Sequence, residues 1–315
     1  MNPFVFIVGC PRSGTTLLRR IVDAHPEIAI LRAETHWIPK LLDERAGVTA
    51  DGRVTQELVP ALLAQRTFPK LEIDEGDVER LVSTAGPAYS SVVSGIFDLY
   101  GRRHGKRLVG DKTPGYVRSI PTLHDLWPSA RFVHLIRDGR DVCLSALSWE
   151  RKQRDFALRF RSWRGDRVAT AAHWWSWHVS SGREAGADLG ARLYFELRYE
   201  DLVAEPEAAC RRLCAFLSVP YDERMLRFHE GRTRQKAGLS AKRAWLPVTT
   251  GLRDWHSQME TGDVELFEAA AGTLLEELGY ERGEPFPSKA AHDDAARVGQ
   301  LFAEDVTARE RASAA

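Results

Sequence analysis

Residues Gly9-Cys-Pro-Arg-Ser-Gly-Thr-Thr16 bring together a sharp turn, a cation and the start of a helix, the parts needed to hold an anion of phosphate size. The apolar run Phe4–Val8 ends in Gly9, and Pro11, Arg12, Ser13 and Gly14 form a loop before Thr15 and Thr16 open an amphipathic pattern. A buried strand that turns directly into a helix leaves several backbone N–H groups unpaired, and the helix dipole adds positive potential at the same place. A nucleotide-triphosphatase loop reads G-x-x-x-x-G-K-[ST]. Here Gly9 and Gly14 keep that spacing, but Thr15 stands in the lysine position, Thr16 in the hydroxyl position, and the cation is Arg12 inside the loop. The spacing does not fit the dinucleotide fingerprint G-x-G-x-x-G.

The segment Cys10-Pro-Arg-Ser-Gly-Thr-Thr-Leu-Leu18 resembles the 5′-phosphosulfate loop of sulfotransferases that use 3′-phosphoadenosine-5′-phosphosulfate (PAPS). Ala130-Arg-Phe-Val-His-Leu-Ile-Arg-Asp-Gly-Arg-Asp-Val-Cys-Leu-Ser145 is similar to a second motif of that family, in which the Arg137 and Ser145 positions hold the 3′-phosphate. Leu197-Arg-Tyr-Glu-Asp-Leu-Val203 looks like a third, a strand end near the adenine and 3′-phosphate that brings in Tyr199. The resemblance, spread over roughly residues 4–220, implies cofactor contacts from Pro11, Arg12, Ser13, Gly14, Thr15, Thr16, Arg137, Ser145 and Tyr199. It also implies a late basic segment closing over the 3′-phosphate. Residues 231–255 carry Arg232, Arg234, Lys236, Lys242, Arg243 and Arg253, of which Arg243 is taken as the contact.

The local likeness is strongest to protein-tyrosine sulfotransferases. Asp23-Ala-His-Pro-Glu27 followed by Ala33-Glu-Thr-His-Trp-Ile-Pro-Lys-Leu-Leu42 is similar to their acceptor-side segment with its catalytic glutamate, allowing one inserted residue and His36 in place of an arginine. The resemblance makes Glu34 the general base; His36, whose unperturbed pKa is about 6.5, is the second candidate. A plainer role for Glu34, as a partner capping a helix N-terminus, stays open.

Transfer of a sulfuryl group through a loose transition state builds charge on the bridging oxygen and the leaving phosphate. Fixed positive donors are therefore needed there. Arg12, the loop N–H groups and the hydroxyls of Thr15 and Thr16 meet that need at the 5′ side. Lys112, in Gly110-Asp-Lys-Thr-Pro114, is by resemblance the donor to the bridging oxygen. A sulfuryl group carries less charge than a phosphoryl group, so no metal is expected. The acceptor hydroxyl or amine must still lose a proton, and a positioned base contributes typically about 10²–10⁴-fold. The competing classes are a phosphate-loop kinase, disfavoured by the missing loop lysine, and a noncatalytic nucleotide-binding module, disfavoured by the presence of both Glu34 and Lys112.

These residues need a scaffold that lines them up. Strand-length apolar runs occur at 4–8, 107–109, 131–136 and 192–197, each followed by polar, chemistry-bearing residues and a helical pattern. Continuous apolarity suits strands covered on both faces, and alternation with helices predicts an α/β fold. The expected architecture has three layers, a central parallel sheet flanked by helices, in the P-loop-like sulfotransferase arrangement. Arg12, Lys112, Arg137 and Tyr199 all fall at the carboxyl ends of strands, where such sheets bind ligands. The expected organisation is one domain over 1–283 with a helical insertion at about 37–105, a mobile segment at 150–167 over the acceptor, and a C-terminal tail from 284 to 315. Trp174, Trp175 and Trp177 are read as core or pocket wall rather than as a stacking platform for nucleic acid.

Lysine plus arginine number 44, as do aspartate plus glutamate, which argues against nonspecific binding to nucleic acid or anionic membrane. The four cysteines form no convincing disulfide framework or metal set and are expected to be reduced. No apolar run approaches the roughly 20 residues needed to span a bilayer. Relatives acting on secreted proteins are anchored in the Golgi lumen, and without such an anchor the expectation is cytoplasmic; abundant Arg and Ala suggest a bacterial source. The acceptor stays open among peptides, carbohydrates, lipids and small phenols, and the resemblance allows a homodimer.

Overall fold

Val5, Phe6, Ile7 and Val8 form β1 (Val5–Val8), and all four are fully buried because each face of the strand meets a different core. Phe6 and Val8 join Phe97, Trp127 and Phe132 on one face, while Val5 and Ile7 join Leu18, Ile21, Leu135 and Leu213 on the other. This two-sided burial accounts for the unbroken apolar run. The structure is a computed structural model that describes residues 4–230, 253–283 and 286–314.

After β1 come α1 (Thr15–Asp23), the short β2 (Ile28–Ile30), and then α2 (Trp37–Asp43), α3 (Leu58–Leu63), α4 (Glu75–Thr84) and α5 (Tyr89–Arg103). These are followed by β3 (Leu108–Lys112), α6 (Ile120–Leu126) and β4 (Arg131–Ile136). The chain continues through α7 (Gly139–Leu147), α8 (Glu150–Arg159), α9 (Ser162–Gly165) and the long α10 (Arg167–Leu189) before β5 (Tyr194–Arg198). It ends in α11 (Tyr199–Ala204), α12 (Pro206–Leu217), α13 (Trp255–Gln258), α14 (Thr261–Glu277) and α15 (Lys289–Ala314).

The strands are ordered β2-β3-β1-β4-β5, and β1 pairs in parallel with both β3 and β4. Helices cover both faces, so the expected three-layer α/β architecture is observed. Ile7 lies opposite Lys112 and Val8 opposite His134. The end of β1 is therefore where successive connections leave in opposite directions, the switch point at which open parallel sheets bind ligands. Phe6 stacks on Phe132 with centroids 5.5 Å apart, and Phe4 meets Phe97 edge-on at 4.9 Å.

The described chain divides into two compact units, one of residues 4–9, 14–135 and 182–230, the other of 10–13, 136–181 and 253–314. The first holds the sheet through Leu135 and the two cores just described. The second has its own core around Val142, Phe156, Trp163, Trp174, Trp175 and Phe267. Trp174 and Trp175 are buried there, as expected, and the Trp175 Nε1–H donates to the Arg137 carbonyl at 3.0 Å. In this unit α15 is docked: Phe302 stacks on Phe160 at 5.0 Å, and Asp305 accepts from Arg161 Nε at 2.7 Å. All four cysteines are buried.

Candidate active site

Gly9 and Gly14, both of the first unit, flank residues 10–13 in the sequence, and neither tolerates a side chain. Gly9 has φ 149°, and a Cβ there would stand 2.4 Å from the Leu135 carbonyl oxygen. Gly14 caps α1 at φ 96°, with the Tyr199 ring packed so closely that a Cβ would sit 2.5 Å from it. The start of α1 has no side-chain cap and no acid in its first turn, so no acid of the helix itself competes for its positive end.

Four candidate side chains meet in the same unit. Lys112, at the end of β3, is 5% exposed. Its Nζ donates to Glu34 Oε1 and reaches Thr16 Oγ1 at 3.4 Å. The other carboxylate oxygen of Glu34 lies 2.9 Å from His36 Nε2. Burial pushes the Glu34 carboxyl up, but hydrogen bonds from His36 and Lys112 together with the Lys112 charge outweigh it and hold the group at about 2. Glu34 is therefore an ionised carboxylate bridging two nitrogen bases, not a helix-capping side chain; α2 has His36 at its N-cap. His36 is held at φ 47°, a left-handed conformation that a non-glycine residue adopts at a cost.

The second unit gathers cations. Arg12, at φ 87°, donates from Nε to Ser145 Oγ at 3.0 Å, and its guanidinium lies 4.7 Å from the Trp149 ring centroid. Burial, then the charges of Arg253 and Arg137, hold the Arg12 guanidinium below its ordinary range. Arg137 pairs with Asp141 at 2.8 Å, and the second oxygen of Asp141 accepts the Trp255 backbone N–H at 3.0 Å. Arg253 donates to Ser148 Oγ at 2.8 Å. The charges of Arg137 and Arg253 thus reach Arg12, and the three cations concentrate positive potential in this unit. The buried Ser13 Oγ has no hydrogen-bond partner in the structure, a further unmet donor in the loop.

Sequence reasoning thus finds Glu34, His36, Lys112 and Thr16 together in one unit, and Arg12, Arg137 and Ser145 together in the other. Arg12 contacts Ser145, the residue expected at the 3′-phosphate. Arg243 lies outside the described residues. Asp141 and Trp149 were missed, while Arg253 was read only as one cation of the late basic stretch.

The sequence model of the Sulfotransferase family matches residues 3–223. Protein-tyrosine sulfotransferase A of Caenorhabditis elegans is 31% identical over 302 residues, covering 93% of this chain and 71% of that protein. Protein-tyrosine sulfotransferase 1 of Homo sapiens is 27% identical over 289 residues, 89% of this chain and 70% of that protein. Among solved structures, the sulfotransferase domain from the curacin biosynthetic pathway superposes with a TM-score of 0.60 at 21% identity, covering 90% of this chain and 99% of that one; at this identity the likeness concerns the fold.

The cytoplasmic placement expected from the sequence is corrected by these relatives, which are animal protein-tyrosine sulfotransferases, the class set above in the Golgi lumen. A bacterial source is likewise not shown by them. Among the described residues no helix is long and apolar enough to cross a membrane.

Proposed function

Because this chain belongs to the sulfotransferase family and is an enzyme of sulfuryl transfer, we propose that its donor is PAPS and its acceptor a tyrosine hydroxyl of a protein or peptide. Support for the donor comes from the three family motifs and from the arginine cluster. Support for the acceptor comes from the names of the relatives and from the Glu34 segment. Bound PAPS would supply the sulfuryl group and a good leaving group, adenosine 3′,5′-bisphosphate.

The single observation that carries the reading is the bridge Lys112–Glu34–His36. A base held at about 2 is too weakly basic to take a phenolic proton efficiently, since general bases work best near the operating pH. Lys112 is at once a restraint on Glu34 and the proposed donor to the bridging oxygen. As Lys112 turns to the leaving group, Glu34 loses one of the partners that depress it and becomes the stronger base. One lysine thereby links leaving-group stabilisation to proton removal. His36 keeps the carboxylate oriented meanwhile. Arg137 and Ser145, with Arg253 as the late cation, are assigned to the 3′-phosphate, while Arg12, although it contacts Ser145, is kept at the 5′ side. The loop amides, Ser13, Thr15 and Thr16 are assigned to the 5′ side and Tyr199 to the neighbourhood of the adenine. The segments 37–105 and 150–167 are assigned to the acceptor side.

The test is incubation with sulfur-labelled PAPS and a tyrosine-containing peptide, with the product identified by mass spectrometry. Glu34→Gln is expected to lower turnover by about 10²–10⁴-fold, the usual contribution of a general base, with unchanged calorimetric affinity for adenosine 3′,5′-bisphosphate. A fully active Glu34→Gln enzyme would move the base to His36. Label on serine, carbohydrate or small phenols but not on tyrosine peptide would refute the acceptor.

A further inference from the structure

We propose that Asp111 and Thr35 form a buried lock that sets the position of Glu34, making both of them positioning residues for the transfer reaction; the inference rests on Glu34 being the base. Residues 34–36 and 111–113 run side by side just beyond the paired ends of β2 and β3, and they are tied twice. On the open side Glu34 meets Lys112. On the buried side the Thr35 hydroxyl donates to Asp111 Oδ2 at 3.3 Å, and the Thr35 N–H donates to Thr113 Oγ1 at 3.0 Å. Thr35 is 1% exposed and Asp111 fully buried.

The buried side is a directed chain of donors. The Ile38 N–H donates to the Tyr116 hydroxyl at 3.1 Å, Tyr116 lies 2.7 Å from the Thr35 hydroxyl, and Thr35 passes its own hydrogen to Asp111. Tyr89 extends the network by donating to the Ile38 carbonyl at 3.0 Å. With its one hydrogen given to Asp111, the Thr35 hydroxyl accepts from Tyr116, whose oxygen accepts the Ile38 N–H, so the series runs from the backbone N–H to the carboxyl.

A buried carboxyl is costly unless it has work to do. Burial pushes Asp111 up to about 6, with the Glu34 charge adding to the rise while Thr113, Lys112 and His36 oppose it. An apolar side chain would fill the space at less cost, but it would not fix Thr35. Glu34 is half-buried and His36 exposed on either side of the buried Thr35, so holding Thr35 inward holds its two neighbours outward. The left-handed His36 backbone needs such over-determination to persist.

The experiment compares Thr35→Val, Thr35→Ser, Asp111→Leu, the double variant Thr35→Val/Asp111→Leu, and Glu34→Gln. PAPS cleavage is followed with tyrosine peptide and with water as acceptor, alongside the calorimetric Kd for adenosine 3′,5′-bisphosphate. Misplacing a catalytic group by about 1 Å can cost about 100-fold. Thr35→Val should therefore lower kcat about 10–100-fold, with the nucleotide Kd unchanged and Thr35→Ser restoring turnover. The double variant should be no worse than the worse single one, as residues of one network are not additive. If Thr35→Val keeps wild-type kcat, or loses nucleotide affinity in the same proportion as kcat, the lock is refuted. That result alongside an inactive Glu34→Gln would refute the lock alone, whereas an active Glu34→Gln would refute the assignment of the base.

Discussion

Lys112 and Glu34 meet as an ion pair in which the lysine is 5% exposed while the carboxylate stays open enough to reach His36. Glu34 sits well below its ordinary 4.5, at about 2. A carboxyl with a depressed folded pKa contributes stability that is present above the ordinary value and is lost as pH falls through the folded one. Wild type should therefore melt higher than Glu34→Gln at pH 7, with the gap closing between about pH 4.5 and about pH 2. The carboxylate is about a third exposed, with a side-chain accessibility of 35%, so the gap should be small and shrink with added salt. Calorimetric melting against pH checks this; a gap that stays constant to pH 2 would show that the pair does not tie protonation to folding.

Arg140 carries a different burden. Its side chain is fully buried, bonded to Asp138 at 2.7 Å, Glu268 at 2.6 Å and the Glu281 carbonyl at 2.8 Å, and its guanidinium lies 3.5 Å from the Trp255 ring centroid. Removing one member strands buried charges, which costs about 3–5 kcal/mol. Arg140→Met should lose about that much in denaturant unfolding, and adding Glu268→Leu should recover part of it. A loss no greater than that of an exposed arginine such as Arg297 would show the network to be dispensable.

The layers of the fold were legible because β1 and β4 announce themselves by nearly unbroken apolarity, while β3 and β5 show only short apolar runs followed by polar residues and a helical pattern. β2 was not: Ile28–Ile30 is three residues at the sheet edge, too short to carry a pattern. In the site, the loop and Lys112 are readable since their chemistry needs particular residue types at particular spacings. Asp141 and Trp149 are unreadable because their roles come from contacts across the chain, Asp141 with the Trp255 backbone and Trp149 with Arg12. Asp111 hides for a related reason. Next to Lys112 in sequence it looks like a surface ion pair, whereas strand alternation turns it inward to Thr35.

Gly14 is required twice, for its left-handed φ and for the Tyr199 ring against its Cα. Gly14→Ala should abolish measurable calorimetric binding of adenosine 3′,5′-bisphosphate while leaving the protein folded. Tyr199→Ala removes the steric conflict but not the backbone cost, so the double variant Gly14→Ala/Tyr199→Ala should regain only part of the affinity of Tyr199→Ala alone. Full recovery would mean that the ring, and not the φ of 96°, makes glycine necessary.

Asp141 divides its two oxygens between the Arg137 guanidinium and the Trp255 N–H, so it fixes both a cation and the segment that carries Arg253. Arg137→Ala removes charge-assisted bonds worth about 1.5–3 kcal/mol to an anion, and should weaken adenosine 3′,5′-bisphosphate binding about 10–100-fold. Asp141→Asn keeps an acceptor for Trp255 but loses the charge that orients Arg137. Its effect on affinity should be smaller, since the removal of a negative charge beside an anion site partly offsets the lost orientation. Raising salt should erode wild-type affinity more steeply than that of Arg137→Ala, because one fewer cation is then screened. Calorimetry at two ionic strengths separates these contributions: equal salt dependence in wild type and Arg137→Ala would place Arg137 outside the anion's reach and leave Arg12 and Arg253 to hold it.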